Sequence, residues 1–581
     1  MVKVKVARFI LTCLVLILAS GCASHSNKMD TAKTLIRYGE YAAAAEEIND
    51  LLDADRNKLL KEVELGVLNQ LKGDYLTSLA HLETADRLAD ELYTISFGDL
   101  ATRASTNATF VTYRSNIVER VYINYFKMLN YFYLAEAAIS TQEKQQRLDS
   151  ARVEARRAMI LLDENVFKVG DYAVAEEEKQ SALYKLQQVF AAVNGSVVNP
   201  KELAFRDNAF SHYIIGTLFE KIGEKDSARV SYERAAKLYE QGYVKQYKLD
   251  KQVTNQAWYA TALMLKARGD NRWHNIAKDK LNTDQRNELN RSAEGKGQLV
   301  VIQEVDMIAP RGELNLWVVI QNNRLIIRPV ITGTPKERAY QLAWFYYLYA
   351  DKGLLGVIER ISAEDYLGLL TSSHEKILPI PGVMRSTLES TGLLEAMTTT
   401  GIRLSVPLLY YEELPVKKSY LEINGENQGN LILADNVSGL AMAQHLVGAQ
   451  AELTNAMAVE ALRLSLCIQA GAPAPICALA AGASTSADTR SWLTLPYEIR
   501  TLRVELPAGQ HKLRLVSDVN GYQVEQLKEI KIKANEVHLV RLRTFAIDPN
   551  GAVPKSVQKA RSANNIELIK TEQTIVTSNG E

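Results

Sequence analysis

Ser373 and Lys376 stand three residues apart, the Ser-x-x-Lys spacing in which a lysine amine activates a serine hydroxyl for acyl transfer. The same spacing recurs at Ser556 and Lys559, and the companion Lys-Thr-Gly is missing, so the pattern identifies no nucleophile. The eight histidines are scattered and none forms His-Glu-x-x-His. There is no Gly-x-Ser-x-Gly elbow, no Gly-x-x-x-x-Gly-Lys-Ser/Thr loop and no Gly-x-Gly-x-x-Gly. Neighbouring carboxylates such as Glu46 and Glu47 are solvating charges on a helix face. A wall-cleaving glycosidase would need two carboxylates across a cleft, which spacing alone does not place. The reading is therefore of a non-enzyme, with no catalytic residue, no metal ligands and no cofactor.

The residue whose setting points to chemistry is Cys22. Lys3, Lys5 and Arg8 precede an uncharged run, Phe9 to Leu18, too short to span a bilayer, and Leu18-Ala19-Ser20-Gly21-Cys22 follows. This resembles a bacterial lipoprotein signal, with residues 1–21 as the signal peptide. Ala19 sits where Leu is commoner. The resemblance implies lipidation of the Cys22 thiol, then cleavage before it. A diacylated and N-acylated cysteine anchors far more firmly than one myristoyl chain. Residues 22–29 are expected to be a lipidated, flexible tether. Residue 23 is Ala rather than Asp, which by resemblance to the enterobacterial sorting rule places the chain in the cell outer membrane, facing the periplasm.

Cleavage leaves 560 of the 581 residues, enough for several domains. The leader takes three basic residues with it, so 65 Lys and Arg face 68 Asp and Glu, a net charge of −3. No dense basic run supports nucleic-acid binding. Beyond the leader no segment reads as a transmembrane helix; the nearest, the uncharged Leu464 to Gly482, holds Gly471, Pro473, Pro475 and Gly482, which would break a lipid-exposed helix. Two cysteines remain beyond Cys22. Cys467 and Cys477, ten positions apart in an oxidising compartment, are expected to pair, the alternative being two buried thiols. Such a bridge would stabilise by about 3 kcal/mol in the chain-entropy model.

The elements that carry these residues divide near residue 290. Gly39-Glu40-Tyr41 and Gly73-Asp74-Tyr75 lie 34 residues apart, the tetratricopeptide (TPR) period. In the second copy Gly66, Gly73, Tyr75, Leu82 and Ala85 fall at TPR spacing; the first offers Gly39, Tyr41 and Ala44. A third copy is Gly216, Gly223, Ala228, Tyr232 and Ala235, and a degenerate fourth surrounds Trp258 and Gly269-Asp270. Ala151, Ala155 and Ala158 sit at similar offsets after a turn lengthened by the polar stretch from Ser140. Residues 30–290 are thus expected to form a TPR-like α-solenoid whose concave groove grips a partner protein. Between Tyr113 and Tyr133 aromatics recur at helical spacing, a packed face in the plainer reading. In the sharper one Tyr122, Tyr125 and Tyr133 line the partner groove.

From Gln298 the period changes to two. Runs at 298–305, 314–320, 324–330, 402–411, 418–423 and 537–542 read as strands. Leu502 to Leu515 alternates on either side of Pro507-Ala508-Gly509, with His511 a strand residue near the turn. This part resembles small β-sandwiches of the PEGA type. A mixed region is expected over 297–435, with a helical insertion at about 335–375. A second insertion, 436–490, carries a helix and the Cys467–Cys477 loop, and Trp492 is its anchor on the sheet. Sandwich strands follow at 491–547, pairing with 402–425, and 548–581 reads as a loosely ordered tail. The fold class is α+β and multidomain: a TPR-like solenoid followed by a β-sandwich-like region with helical insertions.

Several stretches together resemble a family of bacterial TPR-containing outer-membrane lipoproteins. They are Glu119 to Tyr131, Ala151 to Ala158, Gly297 to Ile302 with Ala309-Pro310, and Asp488-Thr-Arg-Ser-Trp-Leu-Thr-Leu-Pro496. The likeness covers most of residues 30–545. The chain departs from it in the lengthened turn near Ser140 and the insertion at 335–375. The resemblance implies location and architecture and transfers no active site. The expected function is a lipid-anchored periplasmic scaffold or adaptor. It would bind periplasmic or outer-membrane proteins through the TPR groove and support a cell-envelope complex. Regulation of a peptidoglycan synthase, or a wall-acting enzyme without a local motif, are the alternatives.

Overall fold

A computed structural model describes residues 24–92, 111–167, 207–291, 294–349, 375–547 apart from 381, 391, 412, 413 and 415, and then 551–563 and 573–576. Cys22 and Ser373 lie outside the described residues, as does most of the proposed insertion at 335–375.

The first part is helical: α1 (His25–Lys28), α2 (Asp30–Arg37), α3 (Tyr41–Leu51), α4 (Lys58–Leu71), α5 (Tyr75–Glu91), α6 (Ile117–Ala137) and α7 (Thr141–Phe167). After residues that are not described come α8 (Ala209–Ile222), α9 (Lys225–Leu238), α10 (Gln252–Ala267), α11 (Arg272–Lys280) and α12 (Thr283–Asn290). Short turns fold successive helices into hairpins. Gly73 and Gly223 end α4 and α8 at φ +80 and +90, a conformation that costs glycine least. Asp74 then caps α5 by accepting from the Thr77 amide. Within hairpins the glycines permit close approach. A Cβ on Gly66 would stand 2.7 Å from Leu82, and one on Gly216 would stand 2.8 Å from the Tyr232 ring. Ala44, Leu82, Ala85, Ala228, Tyr232 and Ala235 are fully buried.

Polar groups tie the hairpins together. Asn130 on α6 donates to Ser78 on α5, whose hydroxyl donates to the Gly66 carbonyl on α4, each at 2.7 Å. Gln70 donates to Asn130 and to the Phe126 carbonyl. Lys127 is buried between Asp86 (2.8 Å) and Glu154 (3.0 Å), joining α5, α6 and α7. The polar stretch from Ser140 is the start of α7 and not a lengthened turn; Ser140 Oγ accepts the Glu143 amide as an N-cap.

The second part begins with β1 (Lys296–Val305), β2 (Arg311–Gln321), β3 (Arg324–Val330) and α13 (Pro335–Tyr349). Then follow β4 (Lys376–Pro379), α14 (Gly382–Ser390), α15 (Leu393–Thr399), β5 (Ile402–Leu409), β6 (Val416–Ile423), β7 (Glu426–Asn430) and β8 (Ile432–Asp435). The helices α16 (Val437–Gln469) and α17 (Ala474–Ser484) separate these from β9 (Glu498–Pro507), β10 (Gly509–Val519), β11 (Tyr522–Ile532) and β12 (Val537–Thr544). Last come α18 (Lys555–Ala563) and β13 (Gln573–Val576).

The strands make three sheets. The central sheet runs β12-β1-β9-β8, with β1 parallel to β12 and antiparallel to β9. The outer sheet runs β13-β11-β10-β6-β7 and the lateral sheet β4-β3-β2-β5. Side-chain alternation sends the two faces of β1 to different cores. Leu299 and Val301 pack with Leu421, Leu513, Leu515 and Leu542 between the central and outer sheets. Val300 and Ile302 join the core shared with the helices. The helical array, central sheet and outer sheet are therefore stacked layers.

Four sequence expectations are corrected. The strand at 402–409 pairs with β2 in the lateral sheet, so within 402–425 only β6 pairs with a strand of 491–547, β10. Residues 24–29 are not a free tether: His25, Ser26 and Met29 are buried, and the His25 amide donates to Thr489 Oγ1 at 2.9 Å. Cys467 and Cys477 lie in α16 and α17, not in an open loop. The tail contributes α18, whose Val557 is buried, and β13, which pairs with β11.

Candidate functional site

Tyrosines of the segment Tyr113 to Tyr133 and the stretch Asp488 to Pro496 meet at the junction between the helical array and the central sheet. The long helix α6 is its spine. Asn116 and Glu119 cap it reciprocally, and its inner face is aromatic because every third or fourth position meets the sheet. Tyr122 Oη donates to Asp435 at 2.7 Å, and Tyr125 Oη donates to Glu304 at 3.1 Å. Tyr133 Oη accepts the Arg541 amide at 3.0 Å, and its ring stacks on Tyr75. All three tyrosines thus contact the protein's own strands. Where the tyrosines lie, the face expected to hold a partner is filled by the central sheet, which corrects their assignment to a partner groove.

Glu304, wholly buried on β1, receives Arg541 at 2.6 Å and Arg543 at 2.8 Å from β12. Burial pushes its carboxyl up, but the two guanidiniums outweigh this and hold it below its ordinary value. Among the described residues, Asp435 forms no ion pair and is held by neutral donors. It accepts from Tyr122, from Asn208 Nδ2 at 2.9 Å and from Tyr243 Oη at 3.4 Å. Burial raises it to about 6 against those donors. Burial also pushes the Tyr122 and Tyr125 phenols well up, with Asp435 and Glu304 adding to it.

The stretch Asp488 to Pro496 is a strap threaded into the array. Arg490 pairs with Asp488 and donates to Asn57 Oδ1 and the Val111 carbonyl. Leu493 and Thr494 donate their amides to Glu64 on α4, at 2.6 and 3.1 Å. Burial raises Glu64 to about 7. Trp492 is an anchor, but of the strap on the array: its ring meets Phe126 at 5.7 Å and its Nε1 donates to Thr494. A second clamp joins β9 to the α8–α9 hairpin. The Arg503 guanidinium forks onto Glu220 at 2.7 and 3.0 Å and also reaches Tyr232 Oη.

Cys467 and Cys477 are bonded, with Cα atoms 5.7 Å apart. His511 sits on β10, its Nε2 2.8 Å from the Pro507 carbonyl oxygen. Among the described residues, no three His, Cys, Asp or Glu side chains group as metal ligands. Sequence reasoning missed Glu304, Arg541, Arg543, Asp435, Glu64 and Arg503. Their signal was a charge inside an otherwise apolar strand or helix, as in Val-Val-Ile-Gln-Glu304-Val.

In comparisons with known proteins, no family model matches the chain, and no curated protein or solved structure is significantly similar to it. Chemically, the junction pairs buried charges and fastens two layers: Tyr125 on Glu304, Tyr122 on Asp435 and Arg503 on Glu220 cross from one layer to the other.

Proposed function

We propose that the chain is a lipid-anchored lipoprotein of the outer membrane that acts in the periplasm by binding, as a scaffold for a cell-envelope complex. The observation that carries this reading is the junction itself. Buried contacts such as Tyr125–Glu304 and the ion pair Glu220–Arg503 fasten the helical array to the sheets as one stiff unit. A stiff unit tethered at Cys22 can hold partners at a fixed place. Gly66 on Leu82 and Gly216 on Tyr232, together with the 34-residue spacing, support reading the hairpins as TPR-like. Since α6 faces the central sheet, partner proteins would dock on the outward helix faces and the outer sheet.

In-cell cross-linking with mass spectrometry tests this, using the tagged chain with Cys22→Ser as control. An envelope protein captured in stoichiometric amount, and lost in the control, is the expected result. Retention of glycan strands alone, with wall-cleaving activity in the purified chain, would overturn the reading.

A further inference from the structure

The second insertion ends in a hairpin: α16 and α17 turn through Ala470–Pro473 and are cross-linked by Cys467–Cys477. No Asp, Glu, Lys or Arg lies between Arg463 and Asp488. The inner side of α17, with Cys477, Ala478 and Ala481, is buried. Its outer side is apolar as well. Ile476, Leu479 and Ala483 follow helical spacing on one face, and Ile476 and Leu479 are 58% and 49% exposed. Leu466 on α16 is 52% exposed. Gln469 is the one polar side chain among the exposed residues of the tip whose side chains are described. An uncharged face with three large apolar side chains in solvent is costly in water and marks a contact surface.

The path of the amino terminus says which surface. Ser24 begins the described chain, and the next residue, His25, is buried and bonded to Thr489, five residues beyond the end of α17. Cys22 lies only two residues before Ser24, so the chain can carry the Cys22 Cα at most roughly 7 Å from the Ser24 Cα. A lipid on Cys22 leaves the protein beside the base of the hairpin. The eleven residues of α17 span about 16 Å, too short to cross a bilayer but enough to lie along one.

We propose that the α16–α17 hairpin is a second membrane contact, with Leu466, Ile476 and Leu479 seated in the leaflet that holds the Cys22 acyl chains. It rests on the reading of Cys22 as the lipidated residue. The cystine holds the two helices in register, and the lack of charge removes the desolvation cost of entering the acyl boundary. With both contacts made, the body has one orientation on the membrane.

The test uses the full processed chain in vesicles of phosphatidylethanolamine and phosphatidylglycerol with brominated acyl chains. Ile476→Trp is the reporter, Ile139→Trp in the helical array the control, and the unsubstituted protein the background. The expected result is a blue-shifted Ile476→Trp emission quenched several-fold more than the control. Equal quenching in the two variants would overturn the proposal. So would a blue shift that grows with protein concentration without bromine quenching, which would assign the face to a second copy. The mass of the amino-terminal peptide separates this from the anchor reading. An acylated Cys22 with an unquenched reporter sinks the hairpin contact alone. An unacylated chain still on the vesicles with its reporter quenched sinks the anchor alone, and an unacylated chain that stays off them sinks both.

Discussion

Tyr125 on α6 and Glu304 on β1 are 179 residues apart and meet in a hydrogen bond of 3.1 Å, both side chains buried. The phenol closes the one side of the carboxylate that Arg541 and Arg543 leave open. It is one of the contacts, with Tyr122–Asp435 and Glu220–Arg503, that join the helical array to charged groups of the central sheet.

Removing the two partners should have unequal effects. Glu304→Ala strands two buried guanidiniums and should cost about 3–5 kcal/mol. Tyr125→Phe removes one hydrogen bond to a carboxylate that keeps both arginines, and should cost about 1–2 kcal/mol. Urea unfolding followed by circular dichroism measures both. Equal losses would mean that the ion pairs do not carry the junction.

Close approach within the hairpins is tested by Gly66→Ala and Gly216→Ala. Alanine gains about 1 kcal/mol of helix propensity over glycine, but each new Cβ meets a buried side chain, and overpacking costs about 1–3 kcal/mol. Gly216→Ala should be the worse, because the Tyr232 ring it strikes is held by Glu220 at 2.6 Å. Leu82, opposite Gly66, has only packing to hold it. A more stable Gly216→Ala protein in thermal melts would refute the close contact.

Stability should fall as pH rises from about 6 to 8. Burial raises Glu64 to about 7, Glu460 to about 7 and Asp435 to about 6. The folded state therefore binds more protons than the unfolded one above their ordinary values, so their stabilisation is present at low pH and lost as pH rises through the folded values. His25, lowered to about 4, and His445, lowered to about 3, both by burial, act oppositely. Their contribution grows with pH and levels off about one unit above the ordinary histidine value of 6.5, so it offsets part of the carboxylates' loss over this range. Melting temperatures at pH 6 and 8 should therefore differ, and Glu64→Gln should narrow the gap; a melting temperature that rises over this range would contradict the assignment.

Breaking the Cys467–Cys477 bridge should loosen the insertion tip by about 3 kcal/mol, the closure entropy of a short loop. Limited proteolysis of the Cys467→Ser/Cys477→Ser variant should cut near Ala470–Pro473, while the sandwich core of Leu299, Leu421 and Leu515 keeps its amide-exchange protection. Unchanged protease resistance at the tip would show that packing alone holds the hairpin.

Local chemistry was legible in the sequence. The turn glycines at 73 and 223, the small residues at Ala85 and Ala228 and the period-two runs of β1, β9 and β10 act over a few residues, and each appears as the expected element. The pairing of Cys467 with Cys477 was legible for the same reason, since ten residues of chain limit the distance between them. What surrounds each element was not. The same helical spacing that put Tyr122, Tyr125 and Tyr133 on one face suits a partner's groove or the protein's own sheet, and only the tertiary structure chose the sheet.

The polar stretch after Ser140 and the residues from Lys555 onward looked like loop and tail because their composition is hydrophilic, yet α7 and α18 form there. Helicity in them comes from one packed face, which a composition average hides. By itself the sequence determined the helical repeat spacing, the strands β1, β2, β3, β5, β6, β9, β10 and β12, the cystine and the resemblance at Cys22, all set by neighbours along the chain. The tertiary structure decided that β12 lies parallel to β1, that the strap at 488–496 threads the array, and that Glu304, Asp435 and Glu64 are buried, because these depend on contacts hundreds of residues apart whose free energy no local pattern encodes.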